Sequence, residues 1–180
     1  MKPFSESCER NKEPILEVLR EHFAQARRVL EIGSGTGQHA VYFSAQLPHL
    51  TWQTADLATN HAGIRLWIEE AGRPNVRPPL ELDMLRDETW PHDVFDAVFS
   101  ANTFHIMSWE AVERAFDCIG MVLAPGGRVA IVRAREAHQN ALALHPAVGD
   151  FEHQPLPASL GGKLRMTQQA LGRIGEGPDL

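Results

Sequence analysis

The sequence is poor in the features that mark secreted, membrane-spanning and nucleic-acid-binding proteins. Only two of its 180 residues are cysteines, Cys8 and Cys118, and this number gives no disulfide framework. No apolar run approaches the roughly 20 residues that span a bilayer, and the N-terminal stretch MKPFSESCERNKEP lacks the apolar centre of a signal peptide. Lysine and arginine number 17 against 23 acidic residues, so the net charge is −6 and no basic stripe is visible. We therefore expect a cytoplasmic protein with no membrane and no nucleic-acid partner.

Metal-binding patterns are also lacking, although the chain has 9 histidines. They are scattered, and no Cys or His pair has the spacing of metal ligands. His138, His145 and His153 form only a loose series near the end of the chain. We expect no metal site.

What the sequence does contain is a regular alternation of strand-like and helix-like segments from about residue 14 to residue 133. Short apolar runs predict strands at 27–32, 50–56, 76–83, 93–102 and 128–132. Pro78 and Pro79 should confine the third strand to its later half. Helical spacing predicts helices at 14–23, 39–47, 62–72 and 109–123. This alternation predicts βαβ units, and so an α/β fold with a mostly parallel sheet between layers of helices.

The pattern ends after Arg133. Residues 134–180 are rich in Ala, Gly, Pro, His and Gln, and they contain no alternating strand run. We therefore divide the chain into a ligand-binding domain, residues 1–133, and an atypical tail, residues 134–180. Partial disorder of the tail stays open as an interpretation.

A glycine-rich loop, EIGSGTG, follows the first predicted strand, and in βα units ligands bind at the carboxyl ends of the strands. Gly33 allows a tight turn, while Gly35 and Gly37 allow the backbone to approach a ligand closely. The third glycine of a dinucleotide fingerprint is replaced by Gln38, and no P-loop is present. Glu31 would repel a pyrophosphate and favours a ligand with a positive charge, such as an amino group or a sulfonium. The alternative interpretation is a simple turn or a nucleotide site that has lost its function.

Two further strand ends carry acids. Asp56 follows the second strand and has the two carboxylate oxygens that a ribose diol needs. Asp83 follows the third strand, next to Met84 and Leu85, and this group of residues suits an adenine ring and its amino group. The alternative for both acids is a helix cap or a turn.

Together, Glu31 to Gly37, Asp56, Asp83 and the stretch LAPGGRVAIV resemble the class I S-adenosylmethionine (SAM)-dependent methyltransferases. CERNKEPILEVL, IEEAGRPNVRPPLELD and NTFHIMSWEA look more narrowly like a domain-of-unknown-function subfamily, the one that includes methyltransferase-like protein twenty-six. The resemblance covers roughly residues 8–133 and implies a Rossmann-like three-layer sandwich that binds SAM. The residues that it assigns to the cofactor are Arg10, Asn11, Glu31, Gly33, Ser34, Gly35, Thr36, Gly37, Asp56, Leu57, Asp83, Met84, Ala101 and Asn102.

The segment SANTFHIMSW, after the fourth strand, is where this class of enzymes carries out the reaction. Asn102 is a candidate for orienting the methyl acceptor, and His105 is a candidate general base. The alternative is that His105 packs at the entry of the next helix. Arg10, in the segment expected to precede the first helix, is a candidate partner for the cofactor carboxylate, with Asn11 assisting. The alternative for this segment is a solvated N-terminus.

The chain departs from the class I pattern after the fifth strand, where these enzymes continue with a helix and two antiparallel strands. We expect those C-terminal strands to be missing or altered, which would expose the fifth strand as a sheet edge. The leading hypothesis is a SAM-dependent methyltransferase with an unknown small-molecule or protein acceptor. The alternative is a non-catalytic SAM-binding or regulatory module, and a nucleotide-dependent oxidoreductase is disfavoured by Gln38 and Glu31. The oligomeric state is open.

Overall fold

A computed structural model of the protein describes residues 1–134 and 140–145, with side chains as far as Val132. Six strands form one sheet in the order β3-β2-β1-β4-β5-β6. The first five strands are parallel, and β6 pairs with β5 in the antiparallel direction. The strands are β1 Arg28–Ile32, β2 Thr51–Asp56, β3 Val76–Glu81, β4 Phe95–Ala101, β5 Leu123–Ala134 and β6 Asn140–His145. The predicted α/β class with a mostly parallel sheet is confirmed.

Helices cover both faces of the sheet because alternate residues of the central strands point to opposite sides. Val29 of β1 packs in a core with α1 and α2, whereas its neighbour Leu30 packs in a second core with α4. Ala97 and Val98 of β4 divide in the same way. The helices are α1 Glu6–His22, α2 Gln38–Gln46, α3 His61–Ala71 and α4 Trp109–Val122. This is the predicted three-layer sandwich. Among the described helices, none is both long and apolar enough to cross a membrane.

Helix α1 begins eight residues before Pro14, so the prediction that Pro14 opens the first helix is wrong. The Ser5 hydroxyl caps the helix by accepting from the Cys8 N–H, and Glu6 and Glu9 lie in the first turn, where acids are favourable. Pro14 is accommodated inside the helix. Residues 9–11 therefore belong to α1 and do not precede it.

Strand β3 runs through both prolines, which corrects the expectation that they confine it to its later half. It is an edge strand, where a missing N–H is tolerated, and its pairing with β2 shifts register between Gln53 and Ala55. Side chains of β2 replace ladder bonds here. The Gln53 amide donates to the Pro78 carbonyl at 2.8 Å, and the Thr54 hydroxyl donates to the Arg77 carbonyl at 2.9 Å.

Strand β6 corrects a further expectation, because no strand was predicted after Arg133. Its register runs from Ala134↔Asn140 to Val129↔His145, so β5 is not the exposed edge that the sequence predicted. Alanine and leucine give this segment a composition that is weak for a strand, and pairing with an open edge outweighs that preference. The predicted tail otherwise falls on 135–139 and 146–180, which lie outside the described residues, as do His138 and His153.

Candidate functional site

A cavity of about 490 Å³ opens at the carboxyl ends of the parallel strands. Its walls come from the glycine loop, the ends of β2 and β4, the turn after β3, the first turn of α1 and the entry to α4. A cavity of this size and position is typical of small-molecule sites in α/β proteins. The loops that follow the strands therefore supply most of the candidate site.

The glycine loop turns sharply from β1 into α2. Gly33, Gly35 and Gly37 have φ angles of 73°, 56° and 90°, a region that side chains disfavour. The Gly33 and Ser34 N–H groups both donate to the Ala55 carbonyl of β2, at 2.9 and 3.1 Å. The cavity lining includes residues 33–36 of the loop. Gly37 lies outside the lining and is the N-cap of α2, and a Cβ on it would lie 3.1 Å from the Cα of Ile64.

Gly33→Ala should destabilise the fold by about 2–3 kcal/mol, because a Cβ at this position would lie 2.4 Å from the Thr103 hydroxyl oxygen. The positive φ of Gly33 adds strain that no rearrangement of Thr103 removes. Urea unfolding of the variant measures the loss. A second substitution, Thr103→Ala, should recover part of it, since it removes two of the three atoms in collision. Wild-type stability of Gly33→Ala would contradict this packing.

Asp56, at the end of β2, is already tied to the glycine loop. One carboxylate oxygen accepts from the Gly35 N–H at 2.6 Å. The other accepts from the Leu57 N–H at 2.7 Å and from the Asn60 amide at 2.8 Å. A carboxylate offers about four acceptor positions, so about one is left for a ligand that enters the cavity. Asp56 therefore shapes the loop as a turn-forming residue and also lines the cavity.

The turn after β3 forms another part of the cavity wall. Asp83 accepts from the Leu85 N–H at 3.0 Å, so it forms a turn, which agrees with the alternative interpretation. Asp83 also lines the cavity. The same cavity is lined by Leu57, Met84 and Leu85. Leu57 and Leu85 are about half exposed, at 48% and 54%. Apolar surface beside a carboxylate suits a flat ring that carries a polar edge.

The end of β4 brings Ala101 and Asn102 to the cavity. Asn102 has φ 58°, unusual for a residue with a side chain, and its N–H donates to the Val132 carbonyl at 2.8 Å. His105 is not brought there. It is exposed in the short turn Phe104–Ile106 and is absent from the lining, because Phe104 takes the buried position of that turn.

Glu31 lies beneath the loop and outside the cavity lining. Its side chain is buried, and one carboxylate oxygen accepts from the Trp52 indole N–H at 3.1 Å. Burial raises the pKa of Glu31 to about 7, with the nearby Asp56 carboxylate adding a smaller effect in the same direction. Glu31 is therefore a buried residue behind the glycine loop and does not line the cavity.

The N-terminal candidates Arg10 and Asn11 do not line the cavity either. Arg10 is exposed on α1 and pairs with Glu6 at 3.3 Å. Asn11 is buried, and its carbonyl oxygen lies 2.8 Å from a ring nitrogen of His39. Burial lowers the pKa of His39 to about 4, so this ring is neutral near pH 7.

Several lining residues were not predicted from the sequence. They include Ser5, Ser7, Cys8, His39, Asn60, Thr103, Met107 and Ser108. His39 carried a usable signal, because it lies directly behind the glycine loop in the first turn of α2. Ser5, Ser7 and Cys8 carried no such signal, because the sequence did not predict that α1 begins at Glu6. Within the described part of the chain, no group of three or more His, Cys, Asp or Glu could hold a metal ion.

The fold is that of SAM-dependent methyltransferases of known structure. An O-methyltransferase family protein from Burkholderia thailandensis superposes with TM-score 0.60 at 24% identity, over 70% of this chain and 39% of that one. The SAM-dependent methyltransferase SibL gives TM-score 0.64 at 26% identity, over 71% and 36%. Human N-acetylserotonin methyltransferase, solved with SAM, gives 0.59 at 16% identity, over 71% and 34%. The chain thus matches well under half the length of each of these proteins.

A family model identifies the chain more narrowly. Residues 2–134 match the family described as Protein of unknown function (DUF938). This match covers most of the chain and almost all of its described residues. The chain belongs to this family.

Proposed function

We propose that this protein binds SAM in the cavity and transfers its methyl group to a small molecule or a protein side chain. The observation that carries the proposal is that one cavity brings together the glycine loop, Asp56 and the Asp83–Met84 turn. These segments lie far apart in the sequence, and each was assigned to a different part of the same ligand. The methyltransferase fold of the solved neighbours supports the proposal.

The charge of the lining fits SAM better than a dinucleotide. Among the described residues, the cavity lining contains two carboxylates, Asp56 and Asp83, and no lysine or arginine. A pyrophosphate in such a lining would meet negative charge without a counter-charge, whereas a sulfonium and an amino group are favoured. We propose that Asp56 holds the ribose, that Asp83, Met84 and Leu57 hold the adenine, and that residues 33–36 hold the methionine end.

Ala101 and Asn102 would then face the reacting end of the ligand. Bound SAM supplies an electrophilic methyl group with a good leaving group, so the protein's main task is to position the acceptor. We propose that Asn102 orients it and that the neighbouring Ile106 and Met107 exclude water. His105 is left out of this proposal because it lies on the surface.

The acceptor is the open part of the proposal. The neighbours' names include an O-methyltransferase and CalS10, an amino pentose methyltransferase from Micromonospora echinaspora, so they do not select one nucleophile. The matching stretches quoted above lead us to place the chain with the subfamily that includes methyltransferase-like protein twenty-six. Both Cys8 and Cys118 are free thiols, which fits action in the reducing cytoplasm.

One observation favours the alternative, a SAM-binding module without catalysis. His105, the general base predicted from the sequence, lies outside the cavity lining, and burial leaves His39 a weak base. Incubation with labelled SAM and a fractionated metabolite and protein extract separates the two functions. An enzyme releases S-adenosylhomocysteine (SAH) in an extract-dependent manner, whereas a binding module returns SAM unchanged.

Asp56→Ala should weaken SAH binding by about 1–3 kcal/mol, because it removes the hydrogen bond to the ribose and the carboxylate that holds the Gly35 N–H. Asp96→Ala is the matched control. The Asp96 carboxylate also accepts from two backbone N–H groups, those of Arg27 and Arg28, but it lies at the other end of the sheet. Isothermal titration calorimetry on both variants should show a loss of affinity only for Asp56→Ala. Equal affinity of Asp56→Ala and wild type would remove Asp56 from the site.

A further inference from the structure

The burial of the polar Gln38 side chain is explained neither by the fold nor by the proposed function. Gln38 is the first residue of α2, directly after the glycine loop, and its side chain is buried. A polar side chain that is buried at this point must find hydrogen-bond partners to offset its desolvation. Its partners connect parts of the cavity wall that are distant in sequence.

The Gln38 amide uses both of its oxygen lone pairs and both of its N–H groups. The oxygen accepts from the Ser5 N–H at 2.6 Å and from the Thr36 hydroxyl at 3.0 Å. The nitrogen donates to the Ser5 carbonyl at 3.3 Å and to a Glu9 carboxylate oxygen at 3.0 Å. One side chain thus ties the glycine loop to the start of α1, with no hydrogen-bonding position left over.

The start of α1 is the part of the cavity that this amide holds. Ser5, Ser7 and Cys8, here called the α1 wall, all line the cavity. The Ser5 and Ser7 hydroxyl oxygens lie 2.8 Å apart, and the Ser5 hydroxyl caps the helix. Without Gln38, the backbone N–H and carbonyl of Ser5 would each lose the partner that the amide supplies.

Three other contacts support the α1 wall, and one of them reaches the glycine loop, because the Cys8 thiol hydrogen-bonds to the Thr36 side chain. The His39 ring hydrogen-bonds to the backbone of Cys8 from behind. The Trp67 indole N–H donates to the Pro3 carbonyl at 2.7 Å and fixes the preceding residues to α3. Gln38 therefore supplies the hydrogen bonds that join the loop to the backbone of the wall, and the weaker Cys8–Thr36 contact is the second link.

We propose that Gln38 is a positioning residue that holds the α1 wall against the glycine loop, so that loop and wall enclose the bound ligand together. The ligand part rests on the proposed function, since SAH is its probe. The structural part does not rest on the proposed function, because it concerns only how closely Gln38 holds the α1 wall against the glycine loop. Gln38, which stands in place of the third glycine of the dinucleotide fingerprint, is thereby assigned a structural role in this site.

Alkylation of Cys8 tests the structural part without any cofactor. Cys8 is half-buried in the α1 wall and Cys118 is fully buried, so N-ethylmaleimide followed by peptide mass spectrometry reports on the wall. In the full-length chain, Gln38→Met keeps the side-chain length and removes the hydrogen bonds. Cys8 alkylation should become about tenfold faster, the factor that the two lost hydrogen bonds to the Ser5 backbone supply. A wild-type rate would overturn the proposal.

Two further variants make this result specific. Asn75→Leu removes another amide that joins two elements, through the carbonyls of Ser44 and Leu50, away from the cavity, and should leave the Cys8 rate unchanged. Gln38→Glu keeps the acceptor for Ser5 and Thr36 but loses both donated bonds. It also places an oxygen against the Ser5 carbonyl and the Glu9 carboxylate, so it should accelerate alkylation too, and it serves if Gln38→Met does not fold. Equal acceleration by Asn75→Leu would show general loosening and overturn the proposal.

SAH tests the ligand part. It should protect Cys8 from alkylation in the wild type, and Gln38→Met should bind it about tenfold more weakly while Asn75→Leu binds it normally. If the wild type binds no SAH, the proposed function fails, and the rates without cofactor still decide the role of Gln38. If the wild type and Gln38→Met bind SAH equally, the α1 wall does not enclose the ligand and that part is overturned.

Discussion

A Gly35→Val variant is expected to remain folded and to lose SAH binding by at least about a hundredfold, or about 3 kcal/mol. A Cβ on Gly35 would meet no atom within 4 Å, so the folded protein has room for the added side chain. That room is the cavity itself, which Gly35 lines. The valine side chain would occupy the space that the ligand needs and would prevent close approach of the backbone.

Gly72→Val provides a matched control for the strain that valine adds. Gly72 has a φ of 57°, close to the 56° of Gly35, and a Cβ on it also meets no atom within 4 Å. It caps α3 and does not line the cavity. Both variants should lose about 1–3 kcal/mol of stability, but only Gly35→Val should lose SAH affinity in calorimetry. Wild-type affinity of Gly35→Val would mean that the glycine loop does not contact the ligand.

The second large effect is a pair of opposite pH dependences that cancel in the wild type. The pKa of Glu31 rises from 4.5 to about 7 because of burial, so its contribution to stability is full below pH 4.5 and is lost as the pH rises to 7. The pKa of His39 falls from 6.5 to about 4, also because of burial, so its contribution is full above pH 6.5 and is lost as the pH falls to 4. Each contribution changes by about 3 kcal/mol over its window.

Single substitutions should separate the two slopes. Between pH 4.5 and 6.5, the stability of Glu31→Gln should rise by about 3 kcal/mol, because only His39 is left to titrate. Over the same range, the stability of His39→Gln should fall by a similar amount. Urea unfolding at constant ionic strength measures both, and the wild type should change little. Replacement of the exposed Glu17 by Gln should reproduce the wild-type curve, and flat curves for both buried variants would refute the two pKa shifts.

Local sequence signals were sufficient for the parallel sheet and for the centre of the site. Strands β1, β4 and β5 contain short apolar runs bounded by turn residues, and the segments between the strands have the apolar spacing of helices. Four of the site residues lie at or just after the ends of strands, and parallel topology brings these ends together at one edge of the sheet. They are Gly33, Gly35, Asp56 and Asp83. Their convergence could be predicted because it requires only the order of the elements.

The remaining features depend on packing that a pattern does not contain. His105 was expected at the cavity, but the burial of Phe104 turns it to the surface. Glu31 was expected at the ligand, but its hydrogen bond to Trp52 holds it beneath the loop. The α1 wall was not predicted because Pro14 was interpreted as the start of a helix that in fact begins at Glu6. Strand β6 was not predicted because it forms by pairing with the edge of β5. Each of these outcomes was decided by a contact between residues far apart in the sequence.

The central claim is that the cavity at the strand ends binds SAM or its product. Calorimetric titration of the full-length protein with SAH, with NAD as the competing ligand, tests it most directly. The account predicts micromolar binding of SAH with one site per chain and much weaker binding of NAD. A folded protein that binds no SAH, or that binds NAD more tightly, would contradict it.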